Sequence, residues 1–107
     1  MSHRLAQIAG IIRRIVASRA LTVPPGIATV VNITRVEVSP DLKYADVYVT
    51  ALSGAPEAVG HLHRRRSEIR RDLGGELSSL YAIPSLRFHV DERSARLRKL
   101  DELIDRL

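Results

Sequence analysis

The densest chemistry in the chain lies in "HRRRSEIRR", residues 63–71, where Arg64, Arg65, Arg66, Arg70 and Arg71 crowd into two helical turns. A guanidinium is a planar fork that binds phosphate through paired hydrogen bonds and stacks on bases. Five of them beside Glu68 and Asp72 make a locally positive field, suited to a phosphate backbone. A solvated helix face is the plainer reading of a charge run, and both readings stand at this stage. Arg13, Arg14 and Arg19 could extend the field on an N-terminal segment. Arg93, Arg96 and Arg98 begin a C-terminal helix, where a helix dipole gains nothing from cations.

Catalytic chemistry has little to stand on. His61 and His63, two residues apart on a helix, point to different sides and do not share a metal. His89 falls on an otherwise polar strand face. Asp101 and Glu102 sit on an arginine-rich helix, where salt-bridging is the expected role. With no cysteine there is no disulfide, thiolate zinc site or cysteine nucleophile. A Walker-type phosphate loop is also missing. The expectation is a protein that is not an enzyme and holds no metal or cofactor.

These residues need a scaffold. The 107 residues fit one domain spanning 1–107. The chain is 45% hydrophobic but only 4% aromatic, so the core is aliphatic. Of 17 basic residues only Lys43 and Lys99 are lysine, and the net charge is +5. No apolar run approaches the ~20 residues of a membrane span. The arginine-interrupted N-terminus is unlike a signal peptide. A cytoplasmic protein without a membrane partner is expected.

Leu5, Ile8, Ile12, Ile15 and Val16 recur at helical spacing, which predicts a helix over 2–20 ended by Pro24 and Pro25. The β-branched run 27–38 predicts a strand. Its apolar parity switches between Ile33 and Val36, so it is either covered on both faces or bulged near Thr34. Residues 44–52 alternate cleanly, with Ala45, Val47 and Val49 on one face and Tyr44, Asp46 and Tyr48 on the other. Ser39, Pro40 and Asp41 supply the turn between these two strands. Residues 53–82 read as helix. Leu62, Ile69 and Leu73 share a face of an unbroken helix only if Arg65 or Arg66 joins them, so a kink is expected near Arg65 to Ser67. Residues 83–91 form a third strand. A last helix follows, capped by Asp91, with Leu97, Leu100, Leu103, Ile104 and Leu107 on its apolar face; packing of that stripe on the chain's own sheet is the expectation.

The run "ITRVEVSPDLKYADVYVTAL", then "EIRRDLGGEL", then "IPSLRFHVDER" resembles ribosome-binding factor A over nearly the whole chain. The segment "VEVSPDLKYADVYV" and the pattern P-x-L-x-F-x-x-D at Pro84 to Asp91 carry the likeness. The resemblance implies an α+β, type II KH-like domain ordered helix-strand-strand-kinked helix pair-strand-helix, with a three-stranded sheet and helices on one side. It implies a monomeric, non-enzymatic assembly factor that binds the small ribosomal subunit and its 16S rRNA. It further implies help in late rRNA maturation, including 5′-end processing, and a role in cold growth. The family usually has Ala-x-Gly at its kink, where this chain has Arg65, Arg66 and Ser67. Serine lacks glycine's freedom at positive φ, so either a shallower kink or a Ser67 hydroxyl cap is expected. The expected RNA-binding set is Arg64, Arg65, Arg66, Ser67, Arg70 and Arg71, with Ser39, Asp41 and Lys43 of the turn and Arg13 and Arg14 of the first helix. The competing class is a protein-interaction adaptor that dimerises through the hairpin edge or the last helix without binding RNA. A small hydrolase is a remote third.

Overall fold

The computed structural model describes residues 2–80 and 82–105, and their side chains except at 2, 94, 95, 97–99, 101 and 102. The elements run α1 (Ser2–Ala20), β1 (Asn32–Val38), β2 (Tyr44–Thr50), α2 (Ala55–Arg64), α3 (Arg66–Glu76), β3 (Ser85–Val90) and α4 (Glu92–Asp105). That is the expected order, and the architecture is the type II KH-like one. The sheet order is β1-β2-β3, with β1 antiparallel and β3 parallel to β2.

Helix α1 lays Ile8, Ile12, Ile15 and Val16 into the core, with Ile12 and Val16 fully enclosed. Burying each such side chain stabilises by roughly 1.5–3 kcal/mol. The helix stops at Ala20, and the Thr22 amide and hydroxyl both donate to the Arg19 carbonyl, closing the last turn.

Strand β1 begins five residues later than its β-branched run suggests. Residues 27–31 form a loop instead. The Ile27 and Ala28 amides donate to the Pro24 carbonyl, Thr29 bridges Ser53, and Val30 takes φ 50°. A β-branched residue in the left-handed region cannot continue a ladder, so local contacts override propensity here. Within β1 the register shifts between Ile33 and Arg35, leaving Thr34 as the extra residue. Ile33 then faces Val49 and Val36 faces Val47, both on the covered side. Thus the bulge, rather than cover on both faces, resolves the parity switch.

Ala45, Val47 and Val49 are fully buried, and Leu86 and Phe88 join them from β3. The helices cover that face. On the other lie Tyr44, Asp46, Tyr48, Arg87 and His89, as expected from alternation. Gly54 enters α2 at φ 80°, where a β-carbon would sit 2.4 Å from the Ile27 carbonyl oxygen, so only glycine fits.

The helix expected over 53–82 ends at Glu76. Its kink falls at Arg65, which closes α2 and opens α3 with φ −102° and ψ 14°. Stepping out of the helix at one residue lets Leu62, Ile69 and Leu73 all point inward, each no more than 1% exposed. No residue from 65 to 67 has positive φ, so the break needs no glycine. Ser67 lies in the first turn of α3 and makes no capping bond, so of the two alternatives the hydroxyl cap is not the one formed.

The last helix differs from expectation too. Leu100, Leu103 and Ile104 are 54%, 51% and 62% exposed. These three side chains therefore do not pack into the sheet. Leu107 and the Leu97 side chain lie outside the described residues.

Candidate nucleic-acid interface

The kink presents charge at the start of a helix. Glu68 and Ile69 donate their amides to the Arg65 carbonyl, and no side chain caps the first turn of α3. The uncapped N-terminus of an 11-residue helix thus opens among arginines. Helix N-termini attract anions because free N–H groups and the dipole point the same way.

Charges on α3 are sorted by face. Glu68, Asp72 and Glu76 recur every four residues and form one stripe. That stripe faces α1. Arg19 donates from Nε and Nη2 to Asp72 at 2.9 and 2.7 Å and reaches Glu68 at 3.2 Å, and Arg14 pairs with Glu76. The acids of α3 are therefore engaged within the protein. Arg66, Arg70 and Arg71 lie off that stripe, exposed, and with Arg64 have no carboxylate within 4.0 Å among the described residues. Arg65 is exposed but partly engaged. Its Nε donates to His61 Nε2 at 3.0 Å, and its Nη1 lies 3.7 Å from Glu68. His61 is buried, and burial first, then the Arg65 and Arg64 charges, push its pKa below the ordinary 6.5. The ring is thus neutral, with Nε2 free to accept from Arg65.

Two concavities adjoin this surface. A small one of about 140 Å³ is lined by Arg66, Ser67 and Arg70 on α3 and by Pro84, Ser85 and Leu86 at the start of β3. A second, of about 570 Å³, shares Arg70 and Ser85 with it and adds Lys43, Tyr44 and Arg4. The fold thereby joins the α3 arginines to the hairpin turn.

In that turn Ser39 and Asp41 are builders. The Ser39 hydroxyl donates to Asp41 Oδ1 at 2.7 Å and accepts the Tyr44 amide at 3.0 Å. The Lys43 amide donates to Asp41 Oδ1 at 3.1 Å. These bonds, the Ser39 one foremost, hold the Asp41 carboxyl below its usual range. Leu42 turns the chain at φ 61° and packs its side chain against the core. Lys43 is exposed and lines the larger cavity.

Of the expected binding residues, the structure brings together Arg66, Ser67, Arg70 and Lys43, with Arg64, Arg65 and Arg71 alongside on the same helix pair. Arg13 is exposed on α1, and Arg14 is engaged with Glu76. Arg4 was not foreseen: nothing local marks it, and only the packing of α1 beside the α3–β3 connection brings it to the cavity. The buried acceptor His61 was also missed, although its four-residue spacing to Arg65 was readable.

A family model described as ribosome-binding factor A matches residues 4–104. The chain belongs to that family. It is 39% identical over 79 residues to the Rhizobium leguminosarum bv. trifolii ribosome-binding factor A, over 72% of this chain and 59% of that protein. The chain therefore spans less than two thirds of that relative. With the Magnetococcus marinus ribosome-binding factor A it shares 34% identity over 111 residues, 100% of this chain and 90% of the relative. Among solved structures, a solution NMR structure of a Thermotoga maritima protein is 32% identical with a TM-score of 0.65, covering 85% of this chain and 90% of that one. Thermus thermophilus ribosome binding factor A, as a homology model fitted into a cryo-EM map of its 30S complex, matches in fold with a TM-score of 0.66 and 21% identity, over 84% of this chain and 93% of that one. Among the described residues, no helix is long and apolar enough to cross a membrane.

Proposed function

We propose that this protein binds the small ribosomal subunit through the phosphate backbone of its 16S rRNA and assists late maturation of that RNA, including 5′-end processing by nucleases. It acts as a monomer by binding and remodelling rather than by catalysis, in the cytoplasm, and matters most for growth in the cold. Family membership supports a ribosome-binding role, and a relative has been fitted to a 30S complex. One observation carries the assignment of the surface. The acids of α3 are engaged by α1, while its arginines have no carboxylate partner around a helix start that no side chain caps. Phosphate is the ligand that satisfies both.

The test replaces Arg64, Arg65 and Arg66 by Gln, which keeps helix propensity and removes three charges. Each neutralised phosphate contributes roughly −0.7 to the slope of log affinity against log salt on single-stranded RNA. The variant should keep its circular dichroism spectrum, bind small subunits more weakly and show a slope shallower by about 2. Unchanged affinity and slope would move the RNA surface elsewhere.

A second reading has one observation in its favour. The exposed Leu100, Leu103 and Ile104 of α4 suit a protein-interaction adaptor or dimerisation module. Such a module would co-sediment with large and small subunits alike, or with neither, and would lack a salt slope.

A further inference from the structure

We propose that the larger cavity holds one unpaired nucleotide of RNA, its phosphate on Arg4, Lys43 and Arg70 and its base against Tyr44, Leu80 and Ile83. This rests on the RNA-binding reading above and gives it a second, base-contacting subsite.

Three cations converge here from three elements: Arg4 from α1, Lys43 from the hairpin turn and Arg70 from α3. None has a carboxylate within 4.0 Å among the described residues, although six other arginine–carboxylate pairs form among them. Leaving three cations around one cavity is unfavourable unless an anion joins them. Among the described residues, Asp41 is the sole acid on the lining. It stays ionised, and its Oδ1 is taken by the Ser39 hydroxyl and the Lys43 amide, so the cavity keeps a positive balance.

Charge alone would suit a bare phosphate. The rest of the lining asks for more. A volume of about 570 Å³ lies within the ~300–1,000 Å³ of small-molecule sites and exceeds what a phosphate fills. Leu80 and Ile83 give an apolar wall, and Tyr44 is an exposed aromatic ring beside it. The Arg87 guanidinium stacks 4.3 Å from the Tyr44 centroid and braces the ring. A planar ring beside apolar side chains and cations is the combination that takes an unstacked base with its phosphate.

Continuity makes the ligand RNA rather than a free nucleotide. The cavity shares Arg70 and Ser85 with the groove at the kink. A strand with its phosphates at the N-terminus of α3 can pass along the start of β3 and place its next residue here.

The test measures binding of the full chain to two probes of equal length, the oligonucleotide rU6 and its abasic counterpart, with orthophosphate as competitor. The wild type should bind rU6 about tenfold more tightly than the abasic chain, the scale of one stacked base. Tyr44→Ala should erase that preference and Tyr44→Phe retain it. Arg4→Gln with Lys43→Gln, both at exposed positions, should weaken both probes and flatten the salt slope by about 1. Equal wild-type affinity for the two probes would overturn the base subsite, and full competition by orthophosphate at the affinity of rU6 would reduce it to an anion site. If the Arg4/Lys43 variant binds normally while the Arg64/Arg65/Arg66 variant is weakened, the cavity is unused and the kink interface stands. If both bind normally, the RNA-binding surface itself is wrong.

Discussion

The kink and the outer face of the sheet carry the same kind of residue under opposite terms. On the sheet every arginine is engaged. Arg87 Nε and Nη2 grip the two Asp46 oxygens at 2.8 and 3.0 Å, and Arg35 pairs with Glu37 at 3.0 Å. Each also lies over a ring: Arg35 is 3.9 Å from the Tyr48 centroid, and Arg87 covers Tyr44. His89 closes the set with a 2.8 Å bond to Asp46. Charge and hydrogen-bonding capacity are satisfied locally, so the face has little left for a polyanion. At the kink the acids have been drawn off to α1, and Arg64, Arg66, Arg70 and Arg71 keep their charge for a partner. Arginine content thus says little about which charges stay free, whereas the position of the nearest carboxylate says much.

The largest effect expected from breaking this contrast is at Asp46. Its carboxyl is held below the ordinary 3.8 chiefly by the Arg87 hydrogen bonds, then by His89. A group with a depressed folded pKa stabilises the fold above its unfolded value, and that contribution disappears as pH falls through the folded value. Asp46→Asn should therefore cost about 1–2 kcal/mol in urea unfolding at pH 7 and flatten the acid limb of the stability curve. The salt slope for small subunits should stay unchanged, since no cation of this face is placed on phosphate. A marked gain in RNA binding would mean that pairing by Asp46 had masked a second RNA surface.

A smaller effect distinguishes Arg65 from its neighbours. The pKa of His61 is depressed by burial, so as pH falls below 6.5 the unfolded chain takes up a proton that the folded chain resists. Stability is complete above that pH and declines below it. His61→Gln keeps an acceptor for Arg65 and has no titration. Its unfolding free energy should fall less than that of the wild type between pH 7 and pH 5. Parallel pH profiles would show that His61 charges freely in the folded protein.

The smallest effect concerns the acids that α1 engages. Asp72→Asn with Glu76→Gln should cost less than about 1 kcal/mol, because exposed ion pairs contribute little. Released Arg14 and Arg19 should then steepen the salt slope of RNA binding by a fraction of a unit. A loss of RNA affinity would contradict the division of α3 into an inner acidic and an outer basic face.

The sequence by itself determined the elements and most of their faces. Helical spacing placed Ile8, Ile12 and Val16 in the core, strict alternation oriented Tyr44 to Val49, and the parity switch in β1 left a choice between cover on both faces and a bulge near Thr34, which the register decided. The phase conflict between Leu62 and Ile69 located the kink, because an apolar stripe cannot skip two turns of one helix and stay buried. These are local periodicities, and the chain cannot satisfy them in another way. What spatial pairing decides was not legible. No spacing rule says that Glu68, Asp72 and Glu76 meet Arg14 and Arg19, or that Arg4, Lys43 and Arg70 share one cavity. Those outcomes depend on how α1 crosses α3 and where the hairpin ends, and both are set by packing between segments far apart in the chain. Even the stripe on α4, periodic enough to predict a buried helix, stayed exposed, because periodicity reports an apolar face and only the tertiary structure supplies a surface to cover it.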